Sequence, residues 1–120
     1  MKTVIILPTY NERENIVTLL DALHKEAEKI KNHSFAFLVV DDMSPDGTGD
    51  IVHTYIKTHK DTHIITGKKE GLGRALLRGM THAVEQLHAE IIIQMDCDLS
   101  HDPTRIPLFM QAIDNGADFV

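Results

Sequence analysis

The 120 residues are 42% hydrophobic and 25% charged, the balance of one globular domain with a single core, not of a disordered or fibrous chain. A formal charge of −6 excludes the clustered basic surface on which phosphate-backbone binding depends, so no nucleic acid is expected as a partner. No apolar run approaches the roughly 20 residues that span a bilayer, and Cys97, the only cysteine, cannot form an intrachain disulfide; with no signal peptide, the expected compartment is the reducing cytoplasm.

In chain order, residues 4–7 are an aliphatic run ended by Pro8 and read as a strand buried on both faces. Asn11 with Glu14 three residues on has the form of a capping box, and Ile16, Leu19, Leu20, Leu23, Ala27 and Ile30 recur at helical spacing behind it. Residues 35–40 make a second apolar strand, Ser44-Pro45-Asp46-Gly47 a turn, and Ile51, Val52, Tyr55 and Ile56 a second helix. Residues 63–66 form a weaker third strand, Gly71-Leu72-Gly73 opens a helix carrying Ala75, Leu76, Gly79, Met80, Ala83 and Leu87, and residues 90–95 form a fourth strand. Pro103 suits a first helical turn, with Asp102 as its cap; Ile106, Phe109, Met110 and Ile113 follow, and Gly116 closes that helix before an apparent fifth strand at residues 117–120. The chain breaks off within that strand, so it is expected to be the amino-terminal portion of a longer domain.

Strands alternating with helices of this length predict an α/β fold, a mainly parallel sheet with helices on both faces and right-handed crossovers. Ligands of such sheets bind beyond the carboxyl ends of the strands. Here those ends are residues 8–12, 41–46, 67–73 and 96–102, which hold much of the polar and special chemistry.

Asp96-Cys97-Asp98 directly follows the fourth strand, and in extended backbone residues two apart point to the same side. Two carboxylates about 5 Å apart at an effective dielectric near 20 repel by roughly 3 kcal/mol, which a divalent cation reverses. Oxygen ligands of this kind suit Mg2+ or Mn2+ in preference to zinc. The eight histidines show no spacing of the structural zinc type. Asp41-Asp42 reads either as part of a turn or as acceptors for a nucleobase, with Tyr10 and Glu12 placed to serve the same pocket. Gly67-Lys68-Lys69-Glu70-Gly71-Leu72-Gly73-Arg74 reads either as a solvated basic turn or as an anion-contacting helix start, and matches neither a dinucleotide fingerprint nor a P-loop. Cys97 reads as a small buried side chain, not as a nucleophile.

Taken together, Leu7-Pro8-Thr9-Tyr10-Asn11-Glu12, Val39-Val40-Asp41-Asp42-Met43-Ser44-Pro45-Asp46-Gly47-Thr48 and Met95-Asp96-Cys97-Asp98-Leu99-Ser100-His101-Asp102-Pro103 resemble the family-2 glycosyltransferases of GT-A fold, in particular the dolichyl-phosphate (polyprenyl-phosphate) mannosyltransferase branch. The resemblance runs over essentially the whole chain and implies a Rossmann-like donor-binding portion at residues 1–120. It implies an inverting, metal-dependent transfer of a sugar, mannose from GDP-mannose, to a polyprenyl phosphate. A UDP-sugar transferase of the same family, or a nucleotide-sugar-binding fragment without activity, is the alternative. By the same resemblance Pro8, Tyr10, Glu12, Val40 and Asp42 surround the donor nucleoside, Asp96, Cys97 and Asp98 meet its diphosphate, and Asp96, Asp98 and Ser100 hold the metal. A polyprenyl-phosphate acceptor implies peripheral association with the cytoplasmic face of a membrane. Cys97 and Met43 stand where that branch commonly has alanine and asparagine or aspartate, and neither departure removes a charged ligand. No catalytic base is nominated.

Overall fold

Four strands, β1 (Lys2–Thr9), β2 (Ser34–Asp41), β3 (Thr62–Thr66) and β4 (Ile91–Gln94), form one sheet in a computed structural model that describes residues 2–68, 71–97 and 103–116. The order is β3-β2-β1-β4 and every pairing is parallel. The chain therefore steps outward from β1 to β3 and then crosses back, past β1, to lay β4 on its other side. The reversal puts the switch point of the sheet between β1 and β4, where open α/β sheets form their ligand crevice.

The helices are α1 (Ile16–Glu28), α2 (Thr48–Ile56), α3 (Leu72–Glu85) and, after a short 3-10 turn at Pro103–Arg105, α4 (Ile106–Asp114). Strand alternation sorts the core into two layers. Ile5, Leu7, Phe37 and Val39 face Leu19, Leu20 and Leu23 of α1, Val52 of α2 and Ile106 and Met110 of α4. On the opposite face Val4, Ile6, Ala36, Leu38 and Val40 meet Ala75 and Ala83 of α3. Helices thus cover both faces, as the alternation of elements predicts. At the far end of α4, Asp114 accepts hydrogen bonds from Asn32 Nδ2 (2.9 Å) and pairs with His33 Nε2 (2.8 Å); the Asn32 bond first, then the His33 bond, hold its carboxyl below the ordinary aspartate range.

Three expectations change at the element ends. Pro8 does not end β1; it lies within the strand, in register with Val40 of β2. In a parallel ladder each residue directs its N–H and C=O to one neighbour, and residues 2 and 6 address the β4 side, where Glu90 N donates to Lys2 O and Met95 N to Ile6 O. Residue 8 faces the same way, one rung further on. Proline has no N–H to make that rung, so it is tolerated there, and the β1–β4 ladder stops at Met95. The capping box at Asn11 is not formed either. Asn11 takes a left-handed conformation (φ 57°), and α1 begins at Ile16 after a turn in which Asn15 N and Ile16 N both donate to Glu12 O. Lastly, β4 is four residues long, shorter than the sequence run of residues 90–95. Gly116 does close α4, at φ 102° with its N–H on Ile113 O. The expected fifth strand at residues 117–120 and the Asp102 cap lie outside the described residues.

Helix α3 packs closely because Gly79 has no side chain. A Cβ there would stand 2.9 Å from Cγ2 of both Ile6 and Val40, two β-branched side chains with little freedom to move. Gly79→Ala is therefore expected to destabilise the domain by about 1–3 kcal/mol, despite a helix-propensity gain of about 1 kcal/mol. Gly73, where an added Cβ meets nothing within 4 Å, supplies the control: Gly73→Ala should stabilise by roughly 0.5–1 kcal/mol. Urea midpoints of the two variants check both signs.

Candidate functional site

The carboxyl ends of β1 and β2 are joined by a polar lattice that begins at Asp41. This carboxylate is almost fully buried. Its Oδ1 accepts from the hydroxyls of Thr9 (2.7 Å) and Ser44, and its Oδ2 accepts from Ser44 N (3.0 Å). Ser44 Oγ in turn accepts from Asn11 N at 2.9 Å. One turn on, Asp46 Oδ1 accepts from Thr48 N and Oγ1, and Asp46 Oδ2 from Arg13 N. Thr48 Oγ1 accepts from Glu12 N, and Arg13 Nη1 donates to Asp46 O. Two loops that lack regular structure are in this way sewn to each other. The Thr48 hydroxyl is the main reason the Asp46 carboxyl sits below the ordinary aspartate range; desolvation opposes it and the Thr48 and Arg13 amides add to the lowering. Gly47, left-handed at φ 92°, makes the turn into α2.

Strand parity then divides the candidate residues between the two sides of the sheet. Thr9, Asp41, Met95 and Cys97 belong to the α1/α4 side, where Met95 and Cys97 enter the core with Ile106 and Met110. Val40 lies in the layer under α3, and Pro8, Asp42 and Asp96, each an even number of residues from a member of that layer, extend it past the strand ends. Asp42 confirms the assignment: its Oδ1 accepts from Arg78 Nη2 of α3 at 2.8 Å. Asp96 Oδ1 accepts from Gln94 Nε2 at 2.9 Å, the two side chains sharing one side of the backbone.

Of the residues singled out from sequence, Pro8, Val40, Asp42 and Asp96 thus lie on one side of the sheet at the carboxyl ends of β1, β2 and β4, with Pro8 and Asp96 flanking the switch point. Tyr10 is exposed and lies just beyond them on the β1 end. Glu12 is half-buried, and its carboxylate accepts from Asn15 Nδ2 at 3.2 Å, so it organises the entry to α1. Two side chains are withdrawn from any ligand: Val40 is fully covered beneath Gly79, and the Cys97 thiol is buried in the core. Those two positions can offer only backbone groups. Asp98, Ser100 and Lys69 lie outside the described residues, as does the expected convergence of the Asp96 and Asp98 carboxylates. Among the described residues no three His, Cys, Asp or Glu side chains are placed to hold a metal, and no helix is long and apolar enough to cross a membrane.

Arg78 was not foreseen. Its signal is present in the sequence: Ala75, Gly79 and Ala83 form the small, sheet-facing stripe of α3, and a charged residue beside such a stripe needs an anionic partner. Thr9, Ser44 and Thr48 were missed for a different reason, because their hydroxyls act across loops 32 to 36 residues apart in sequence.

A family model described as "Glycosyl transferase family 2" matches residues 4–120. The polyprenol monophosphomannose synthase of Mycolicibacterium smegmatis is 35% identical over 119 residues, 98% of this chain and 43% of that protein. The dolichol-phosphate mannosyltransferase of Pyrococcus furiosus is 35% identical over 118 residues, 98% of this chain and 32% of that one. Among solved structures, the mannosyltransferase PcManGT from Pyrobaculum calidifontis, in complex with GDP-Man and Mn2+, superposes with a TM-score of 0.68 at 30% identity, covering 80% of this chain and 27% of that one. The chain spans less than half the length of the curated relatives it matches.

Proposed function

Because the chain belongs to glycosyl transferase family 2, we propose that it is the donor-binding portion of a GT-A mannosyltransferase, one that takes mannose from GDP-mannose and delivers it, with inversion, to a polyprenyl phosphate. The observation that carries this reading is the placing of Pro8, Asp42 and Asp96 on one side of the sheet at the carboxyl ends of β1, β2 and β4, with Pro8 and Asp96 flanking the switch point. Relatives named for mannosyl transfer to polyprenol and dolichol phosphate support the sugar and the acceptor, and the complex of PcManGT with GDP-Man supports the donor.

In this reading the base lies against Pro8 and Tyr10, and Asp42 accepts its ring N–H. A buried acceptor left unmatched by the wrong base costs about 1–3 kcal/mol, which is a usable margin of selectivity. The diphosphate lies across residues 96–98. Asp96, Asp98 and Ser100 would hold Mg2+ or Mn2+ through oxygen, and the fit is chemical: the one soft donor in the segment, the Cys97 thiol, is buried in the core, leaving a hard donor set. When bound, the cation supplies positive charge against the diphosphate as it departs. The acceptor phosphate oxygen forms the new bond to the anomeric carbon as the bond to the diphosphate oxygen breaks, and the nucleoside diphosphate leaves with that electron pair. Attack from the opposite side inverts the centre. An acceptor phosphate is already anionic at neutral pH, so the chain needs no strong general base. Such an acceptor places the working protein at a membrane surface as a peripheral partner.

Calorimetry of the chain with GDP-mannose, UDP-glucose, GDP and UDP, each with and without manganese, tests the proposal. Manganese-dependent binding that prefers the guanine nucleotides is the expected result. Preference for the uracil nucleotides transfers the reading to a UDP-sugar enzyme, and binding indifferent to manganese removes the metal from it.

A further inference from the structure

Asp42 and Arg78 do not make the two-bond fork that arginine and carboxylate usually prefer. Arg78 Nη2 donates to Oδ1 alone, Nη1 reaches only towards Lys68 O at 3.5 Å, and Nε is buried without an acceptor. Asp42 Oδ2 takes no hydrogen bond from any described residue. A pair built only to fasten α3 to β2 would gain from closing both bonds. Here one carboxylate oxygen is fixed and its twin is left over.

The approach of Arg78 is itself provided for. A Cβ on Gly67 would lie 2.6 Å from the Arg78 guanidinium carbon, and Gly67 is held in place by its N–H on Asp41 O at 3.1 Å. The missing side chain at 67 is the corridor through which the arginine of α3 reaches the end of β2. The side chains of Arg78 and Asp42 are 30% and 11% exposed, so the pair is partly desolvated and its geometry is not that of two solvated charges in passing contact.

Resting on the donor-binding reading above, we infer that Arg78 is a positioning residue for recognition of the donor base: it anchors Asp42 by Oδ1 so that Oδ2 is presented, in one rotamer, to the ring N–H of the nucleobase. Arginine suits this role better than lysine because its planar, permanently charged fork sets direction as well as charge. The class of ligand is a nucleoside diphosphate, and the part read through Arg78 is the base, not the phosphates.

The test compares manganese-supported binding of GDP, UDP and inorganic pyrophosphate to the full chain and to Arg78→Ala, Arg78→Lys, Gly67→Ala and Asp42→Asn. Loss of a hydrogen bond to a charged group predicts that Arg78→Ala weakens the preferred nucleoside diphosphate about ten- to hundredfold while pyrophosphate binding stays within about twofold. Arg78→Lys should recover part of the loss. Gly67→Ala, which keeps the arginine but blocks its corridor, should reproduce the base-selective loss. Asp42→Asn combined with Arg78→Ala should lose little more than either alone, since the two act as one unit. Equal weakening of pyrophosphate and nucleotide would make Arg78 a fold or phosphate residue and overturn the inference. So would nucleotide binding that falls in Asp42→Asn but is untouched in Arg78→Ala and Gly67→Ala, a result that leaves the donor-binding reading intact. A wild-type chain that binds none of the nucleoside diphosphates overturns that reading and this inference with it.

Discussion

Asp96→Asn is expected to weaken manganese-supported binding of a nucleoside diphosphosugar by at least about a hundredfold, the scale on which even outer ligands of a metal are felt, and to leave the fold intact. The substitution removes a charge and keeps the shape of the side chain. Asparagine keeps the oxygen that accepts from Gln94 Nε2, keeps the volume, and leaves Met95 and Cys97 in the core beside it. What changes is the electrostatic case for a cation. On the expected convergence with Asp98, two carboxylates about 5 Å apart repel by roughly 3 kcal/mol at an effective dielectric near 20, and a divalent ion would convert that repulsion into two attractions. In the proposed reading Asp98 is then the one carboxylate of the pair left to the cation, so both the repulsion and half of the attraction would go. Thermal unfolding should shift by no more than the equivalent of about 0.5 kcal/mol, the range of a substitution with no packing consequence. Calorimetric titration with and without manganese reads the binding side. If Asp96→Asn binds as wild type does and still responds to manganese, the strand-end carboxylate is not a ligand.

Sequence pattern was informative where a rule acts locally, and silent where the contact is distant. The four strands and their helices were legible because apolar runs and helical spacing are properties of neighbouring residues. The common rim followed from one rule about parallel sheets. The entry to α1 was misread because Asn11 and Glu14 have the spacing of a capping box, whereas Asn11 is held left-handed with its N–H on Ser44 Oγ. No local pattern contains a bond across 33 residues. Pro8 was misread for a related reason: proline ends a strand when its ladder needs the rung, and whether the rung is needed depends on where β4 stops. For the site, Asp42 and Asp96 were found as acidic residues after buried strands. That Asp41 and Asp42, adjacent and chemically alike, would do different work was not seen. Parity decides it: one side of the sheet gives Asp41 to Thr9 and Ser44, and the other gives Asp42 to Arg78.

That difference makes a second large effect predictable. Asp41→Ala is expected to destabilise the domain by about 3–5 kcal/mol, the cost of removing one partner from a buried charged network, and so to lower the urea midpoint far more than any change at Asp42. The carboxylate is 2% exposed and satisfies three donors, Thr9 Oγ1, Ser44 Oγ and Ser44 N. Removing it leaves the buried Thr9 hydroxyl and the half-buried Ser44 hydroxyl and amide without their acceptor, and each group left unmet carries a desolvation penalty of about 1–3 kcal/mol. The loss also reaches the binding rim, because Ser44 Oγ is the anchor for Asn11 N and hence for the loop that carries Tyr10 and Glu12. Asp41→Asn should cost less, since one amide oxygen still accepts, but its NH2 then faces a donor. Nucleotide affinity should fall in both variants, in proportion to how far the residues 10–12 loop is released. In Asp42→Asn, by contrast, affinity should fall with a smaller loss of stability, since the amide oxygen still accepts from Arg78 Nη2. Equilibrium unfolding and calorimetry on the same four proteins, Asp41→Ala, Asp41→Asn, Asp42→Asn and wild type, separate the two aspartates. A stable Asp41→Ala with its urea midpoint unmoved would mean that the lattice joining the ends of β1 and β2 does not hold the site together.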